Sequence, residues 1–415
     1  MNNLRLKALL GTGCFSLLMS GVANAGGFDR GGVNIDQLFD AAPYSFDAGV
    51  TYVSPQRTLK NVQRLDSPPA PVALSSSSVD VGGDYAVPRV GIKANIFEPV
   101  DCLATYTEPY GAEADFGMNN AYSPSAVEYY VRTNDFGLTC SYKVNVGKGA
   151  LRFIGGISYQ EVDAFLSRQT LLAFGNTGLG KFQLSDEAWA WRVGAAYEIP
   201  EIALRASLVY SSRYKYDELS GTVDSTGFRG TPPADLVPGS TGVFPVSASA
   251  EIPQAVELKL QSGIAPGWLA FGSIRWQEWS KLGIIPIQGV RSPITGGIPG
   301  SPDSPVSFDL LYRDGWTVSG GIAHKFTDQL SAAVSLTWDR GTSTTSGYQS
   351  DTWSVASGIS YSPNDKIEVR LGGSIGVLTS GSSTFTGVGD TANAITYTYD
   401  DDLLLAGSAS VKVKF

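Results

Sequence analysis

From about residue 45 to the C-terminus, apolar side chains recur at every second position. This period of two is the feature that most limits how the chain folds. In the final segment Leu403, Leu405, Gly407, Ala409, Val411, Val413 and Phe415 share one face, and Lys412 and Lys414 fall on the other. Trp189, Trp191 and Val193 alternate with Ala190, Arg192 and Gly194, and Ile367, Val369 and Leu371 alternate with Glu368, Arg370 and Gly372. Successive side chains of a strand point to opposite sides of a sheet, so one face is aliphatic with aromatic ends and the other small, polar or basic.

A soluble sandwich alternates too, and the connections separate the two cases. Strands are expected near 45–55, 85–96, 102–110, 135–146, 150–161, 188–198, 202–213, 254–263, 268–279, 313–325, 330–340, 351–361, 367–378 and 403–415. Short turns (97–101, 147–149, 199–201, 264–267, 326–329 and 362–365) alternate strictly with longer polar excursions. Tight turns on one side, long loops on the other and an even strand count predict an all-β, transmembrane antiparallel barrel of fourteen strands, with both chain ends on the periplasmic side. Hydrocarbon demands closure, since an open edge leaves backbone groups unpaired. A secreted β-sandwich or solenoid is the alternative, but no repeat period is visible.

The N-terminus fits export. Arg5 and Lys7 precede an apolar run from Ala8 to Met19, and Ala23-Asn24-Ala25 offers a small-x-small cleavage site. Residues 1–25 are expected to be a cleaved signal peptide, 26–44 a lumenal plug and 45–415 the barrel, in a bacterial-type outer membrane. Thirty Lys and Arg against 39 Asp and Glu give a net charge of −9, which excludes a general nucleic-acid footprint. One His and two cysteines beyond the leader are too few for a metal centre, and no cofactor is expected. Cys102 and Cys140 lie on strands expected to be neighbours in an oxidising compartment, which predicts a disulfide contributing on the order of 3 kcal/mol. The alternative is two unlinked thiols facing opposite ways.

Parity places Arg89, Lys93, Arg152, Arg192, Arg205, Lys259, Arg275 and Arg370 in the lumen. A basic interior suits capture of a carboxylate; alternatively these cations seat the plug through Asp29, Asp36, Asp40, Asp47 and Glu257. Arg152, Arg192 and Arg205, on three consecutive strands, are the candidates for a basic patch beside the third outer loop. That loop is unusually apolar, with Leu171-Leu172-Ala173-Phe174, and Phe244 lies in the fourth loop. Greasy loops suggest a hydrophobic ligand, with Leu171, Phe174 and Phe244 as candidate contacts. Tyr52, Trp189 and Trp268 read as interfacial girdle residues.

The chain resembles the FadL-type outer-membrane transporters of long-chain fatty acids and other hydrophobic compounds. The resemblance rests on Thr107-Glu108-Pro109-Tyr110-Gly111-Ala112-Glu113-Ala114-Asp115-Phe116, then on Tyr210-Ser211-Ser212-Arg213-Tyr214-Lys215-Tyr216-Asp217. It continues through Ile252-Pro253-Gln254 to Trp276-Gln277-Glu278-Trp279-Ser280. It implies a kink in strand three at Pro109 and Gly111 that opens the wall sideways, where the residues alone fit a plain strand end equally well, and a plug whose Phe28 matches the family's apolar residue near the mature N-terminus. The family's Asn-Pro-Ala plug motif is absent, since Val33 to Pro43 runs without it.

Catalysis is not expected. Gly372-Gly373-Ser374-Ile375-Gly376 fits a nucleophile pattern but lies within a strand, and no His follows it. The expected function is passive uptake of a long-chain fatty acid or another hydrophobic small molecule. Outer loops capture it, a lumenal pocket holds it and a plug shift releases it. A channel for neutral aromatic hydrocarbons is one alternative, and an adhesin or structural barrel is another. Outer-membrane lipid is an expected partner, as is the assembly machinery, through the strand ending at Phe415.

Overall fold

The computed structural model describes residues 27–65, 78–171, 177–229, 241–290, 306–385 and 394–415. Its main element is one closed antiparallel barrel of fourteen strands. These are β1 (Tyr44–Pro55), β2 (Tyr85–Phe97), β3 (Val100–Thr107, resuming at Gly111–Asp115), β4 (Glu128–Val146), β5 (Gly149–Leu171), β6 (Thr177–Ile199) and β7 (Leu204–Ser211 and Tyr214–Asp224). They continue as β8 (Val243–Ile252 and Ala255–Ala265), β9 (Trp268–Gln277), β10 (Gly315–Lys325), β11 (Leu330–Asp339), β12 (Thr352–Asn364), β13 (Ile367–Leu378) and β14 (Asp402–Lys414). Pairing of β1 with β14, from Ser45 opposite Lys414 to Pro55 opposite Leu404, closes the ring.

Alternation gave the faces correctly. Val50, Tyr52, Ile92, Leu138, Ile157, Trp189, Leu208, Leu336, Leu371 and Ile375 are exposed on the outer wall, where lipid covers them, while Ser45, Thr51, Thr133, Thr139 and Gln160 are buried inside. The barrel departs from the expected strands in three ways. β4, β5 and β6 extend further outward than expected, because alternation continues through Val162, Leu166, Phe182 and Leu184, all buried. The apolar residues Leu179 and Phe182 therefore belong to a wall strand rather than a loop. β3, β7 and β8 are each interrupted, at 108–110, 212–213 and 253–254. Lastly, two outer loops pair into a small sheet, in which residues 58–64 join 395–399 and 78–80.

A barrel this wide is not filled by its own side chains. Residues 27–43 run inside the wall, with one short 3-10 turn at Asp36–Phe39. Ile35, Leu38 and Phe39 pack with Leu103, Ile154 and Ala196 in a buried cluster. The leader, residues 1–25, lies outside the described residues.

Cys102 and Cys140 face each other across β3 and β4 and form a disulfide with a Cα–Cα distance of 4.0 Å. Both are on the outward parity, beside the exposed Leu138 and Tyr142.

Candidate functional site

The plug is seated by ion pairs. Asp29 meets Arg275 at 2.9 Å, Asp36 meets Lys259 at 3.2 Å and Arg205 at 3.7 Å, and Asp40 meets Lys412 at 3.0 Å. Lys93 donates to the carbonyls of Asp40 and Ala42 at 2.7 and 2.8 Å. Arg370 holds Asp47 at 3.1 Å, at the foot of β1. Burial alone would raise the Asp36 carboxyl, but the charges of Lys259 and Arg205 outweigh it and hold it below the usual carboxylate range. Asp40 behaves alike: burial pushes it up, and Lys412 brings it lower still than an ordinary carboxyl.

This geometry corrects the reading of Arg152, Arg192 and Arg205 as one basic patch beside the third outer loop. All three are buried and face inward as parity requires. Arg152 is held by Asp101 at 2.7 Å and Glu198 at 2.6 Å, near the periplasmic turn. Arg205 lies 4.5 Å from the Phe39 ring, under the plug. Arg192 donates to Ser158 at 2.5 Å. Ser158 in turn donates to Asp135, which also accepts from Tyr214 at 2.6 Å and Gln160 at 3.1 Å. Parity fixes the face of a strand residue but neither its depth nor its partner.

Above the plug, inward side chains of β4 to β8 enclose an apolar cavity of about 260 Å³. Its wall includes Val131, Val162, Leu166, Phe182, Leu184, Leu219 and Ile252. The outer loops close it with Tyr122, Leu282, Tyr312, Tyr348 and Tyr397, and Phe28 closes it from the plug. Tyr129 and Tyr348, both lining the cavity, share a hydrogen bond of 2.5 Å between their hydroxyls. Burial raises the phenols of Tyr122 and Tyr348, so both stay neutral hydroxyls. One cation, Arg168, stands among the described lining residues. It donates to the Ser307 carbonyl at 3.3 Å and lies 5.7 Å from the Phe308 ring.

Phe28 is 8% exposed and meets Trp279 and Tyr312 edge-on, at 5.9 and 5.8 Å between ring centroids. Trp279 is itself fully buried, and Gly27 makes room for it: a Cβ there would lie 2.7 Å from the indole, in a backbone with φ of +59°. Of the other expected contacts, Phe244 is half-buried and packs at the edge of the same apolar cluster, without lining the cavity. Leu171 ends β5, and Phe174 lies outside the described residues. The loop tyrosines carry no sequence signal, because separate outer loops bring them beside Arg168 of β5.

The β3 interruption is more than a strand end, since the second half pairs again with β4 from Gly111 opposite Arg132 to Asp115 opposite Glu128. It no longer pairs with β2, whose own pairing with β3 stops at Arg89 opposite Thr107. The plug fills the gap: Arg30 N–H donates to the Pro109 carbonyl at 2.9 Å, and Gly111 N–H donates to the Phe28 carbonyl at 2.7 Å.

Residues 37–375 match the family model described as outer membrane protein transport protein, OMPP1/FadL/TodX. A Pseudomonas aeruginosa FadL homologue superposes with a TM-score of 0.78 at 14% identity, covering 95% of this chain and 97% of that one. The Pseudomonas putida toluene transporter TodX gives 0.62 at 13% identity, covering 96% and 98%. The Ralstonia pickettii toluene transporter TbuX gives 0.60 at 12%, covering 95% and 99%. No curated protein matches the sequence. With the family model spanning most of the barrel and the fold shared along its whole length, the chain belongs to the OMPP1/FadL/TodX family of outer-membrane transporters of hydrophobic compounds.

Proposed function

We propose that this chain takes up long-chain fatty acids by facilitated diffusion across the outer membrane. The observation that carries this reading is the apolar cavity, closed by Phe28 of the plug and holding the Arg168 guanidinium at its wall. An alkyl chain gains about 0.8 kcal/mol per buried CH₂, so chain length sets most of the affinity. A charge-assisted hydrogen bond to the carboxylate adds about 1.5–3 kcal/mol and supplies the preference for an acid. The outer loops collect the ligand and the cavity holds it. Displacement of the Phe28 segment uncovers the β3 interruption, where the ligand leaves sideways into lipid. The Arg152 and Arg205 side chains hold plug and wall together, and Arg192 is tied into the wall through Ser158, instead of meeting the ligand.

The ring-rich lining favours a second reading, a neutral aromatic hydrocarbon held by edge and face contacts with Phe28, Tyr312 and Tyr348. Binding of oleate and of a hydrocarbon of equal length to folded protein, wild type and Arg168→Gln, separates the two. The acid reading expects Arg168→Gln to weaken oleate about ten- to hundredfold and to leave the hydrocarbon unchanged. Equal binding of both ligands by both proteins favours the neutral substrate.

A further inference from the structure

The N-terminal segment divides the lumen. Phe28 faces the apolar cavity, and two residues on Arg30 lines a second, polar cavity of about 150 Å³, together with Arg89, Lys259 and Arg275. Between these two side chains the backbone is stitched into the β3 interruption by the hydrogen bonds to Pro109 and from Gly111. The Arg30 side chain lies beside that interruption, against Gly111.

Arg30 differs from the other cations of the plug region. Its side chain is 2% exposed, and the nearest carboxylate oxygen, Oε2 of Glu113, is 3.7 Å from Nη2, beyond hydrogen-bonding length. Among the described residues, neither Nε nor Nη2 has a hydrogen-bond partner. Arg152, Lys93 and Lys412, by contrast, each hold a carboxylate at 2.7 to 3.1 Å. Glu113 is engaged elsewhere, by Arg132. The guanidinium rests on the Tyr85 ring, 4.2 Å from its centroid. Gly111 is the residue that admits it, because a Cβ there would lie 2.6 Å from Arg30 Cζ. The wall is thus shaped to seat a buried cation whose Nε–Nη2 edge carries no hydrogen bond. That edge is the one that grips both oxygens of a carboxylate side by side.

We propose that Arg30 is a transfer site for the carboxylate of the substrate, which engages Nε and Nη2 as the acid moves past Phe28 toward the β3 interruption. The site deepens the fatty-acid reading and rests on it. It makes the plug a selective element, which pulls an acid forward and gives a neutral chain no such pull. A buried cation with open donors is costly, and a passing carboxylate relieves that cost.

The test uses the full protein reconstituted in vesicles, with oleate and oleyl alcohol as probes and Arg30→Gln and Arg30→Lys as variants. Equilibrium binding in the apolar cavity and the rate of transfer are both read. Arg30→Gln is expected to bind oleate like wild type and to transfer it about ten- to hundredfold more slowly, with oleyl alcohol unaffected. Arg30→Lys, which keeps the charge and loses the fork, is expected to fall between. Equal slowing of both probes overturns the proposal in favour of a purely structural role in seating the plug, and so does unchanged oleate transfer in Arg30→Gln. Wild-type protein that moves oleyl alcohol but not oleate overturns the fatty-acid reading and this site with it; wild-type oleate transfer that both variants match overturns the site alone.

Discussion

Asp36→Asn should unseat the plug and leave the barrel intact. Asp36 is 9% exposed and lies between Lys259, at 3.2 Å, and Arg205, at 3.7 Å, both on the barrel wall. Neutralising it takes their carboxylate from the buried Arg205 and the half-buried Lys259, and breaking a buried pair by removing one partner costs about 3–5 kcal/mol. Lys259 retains Glu257 at 3.6 Å, and Arg205 retains Gln261 at 3.0 Å, so the lower end applies. About 3 kcal/mol shifts the docked-to-undocked ratio by roughly a hundredfold. Swelling of vesicles in small sugars reads the opened lumen, and heat-modifiability reports the folded barrel. Asp36→Asn should admit sugars that wild type excludes at an equal amount of barrel. Adding Lys259→Met, which removes the stranded charge, should restore part of the closure. Sugar exclusion unchanged by Asp36→Asn, or a double variant leakier than the single one, would refute the ion-pair account of plug seating.

Three further outcomes follow from the same structure. Asp36 and Asp40 have depressed carboxyls, so their contribution is complete above the unfolded carboxylate value of about 4 and is lost only as pH falls through their lower folded values. Sugar exclusion should therefore hold from pH 7 to about 4 and fail in stronger acid; leakage that begins between pH 7 and 5 contradicts this. Replacing Cys102 and Cys140 together by Ser should lower barrel stability by about 4 kcal/mol, read as a shifted urea midpoint, since the bridge spans 38 residues; an unmoved midpoint counts against it. Deleting Phe415, which is 71% exposed and donates its N–H to the Tyr44 carbonyl at 3.0 Å, should lower the yield of heat-modifiable barrel. Normal barrel levels with lost uptake would instead place Phe415 in transport.

Alternation along single strands, together with the strict order of short turns and long loops, determined the barrel, its strand number and which side chains face lipid. Each of these depends on the two-residue period and on turn length, and both are local. Lys412 and Asp40 show what is not local. Parity puts Lys412 inside, but its 3.0 Å partner lies 372 residues away, and only closure of β14 on β1 brings them together. The same limit explains the arginines. Arg152, Arg192 and Arg205 share a face, yet their heights along tilted strands and the arrival of Phe39 and Asp36 from the plug decide that Arg152 and Arg205 meet the plug while Arg192 binds Ser158 of the wall. Pro109 and Gly111 marked a disturbance in strand three, but not that Phe28 and Arg30 would fill it. The apolar cavity was least visible of all, because Tyr312, Tyr348 and Tyr397 reach Arg168 of β5 from separate outer loops with no shared period. Sequence period determines which way a side chain points; what it meets there is decided by how the closed wall and the plug fit together.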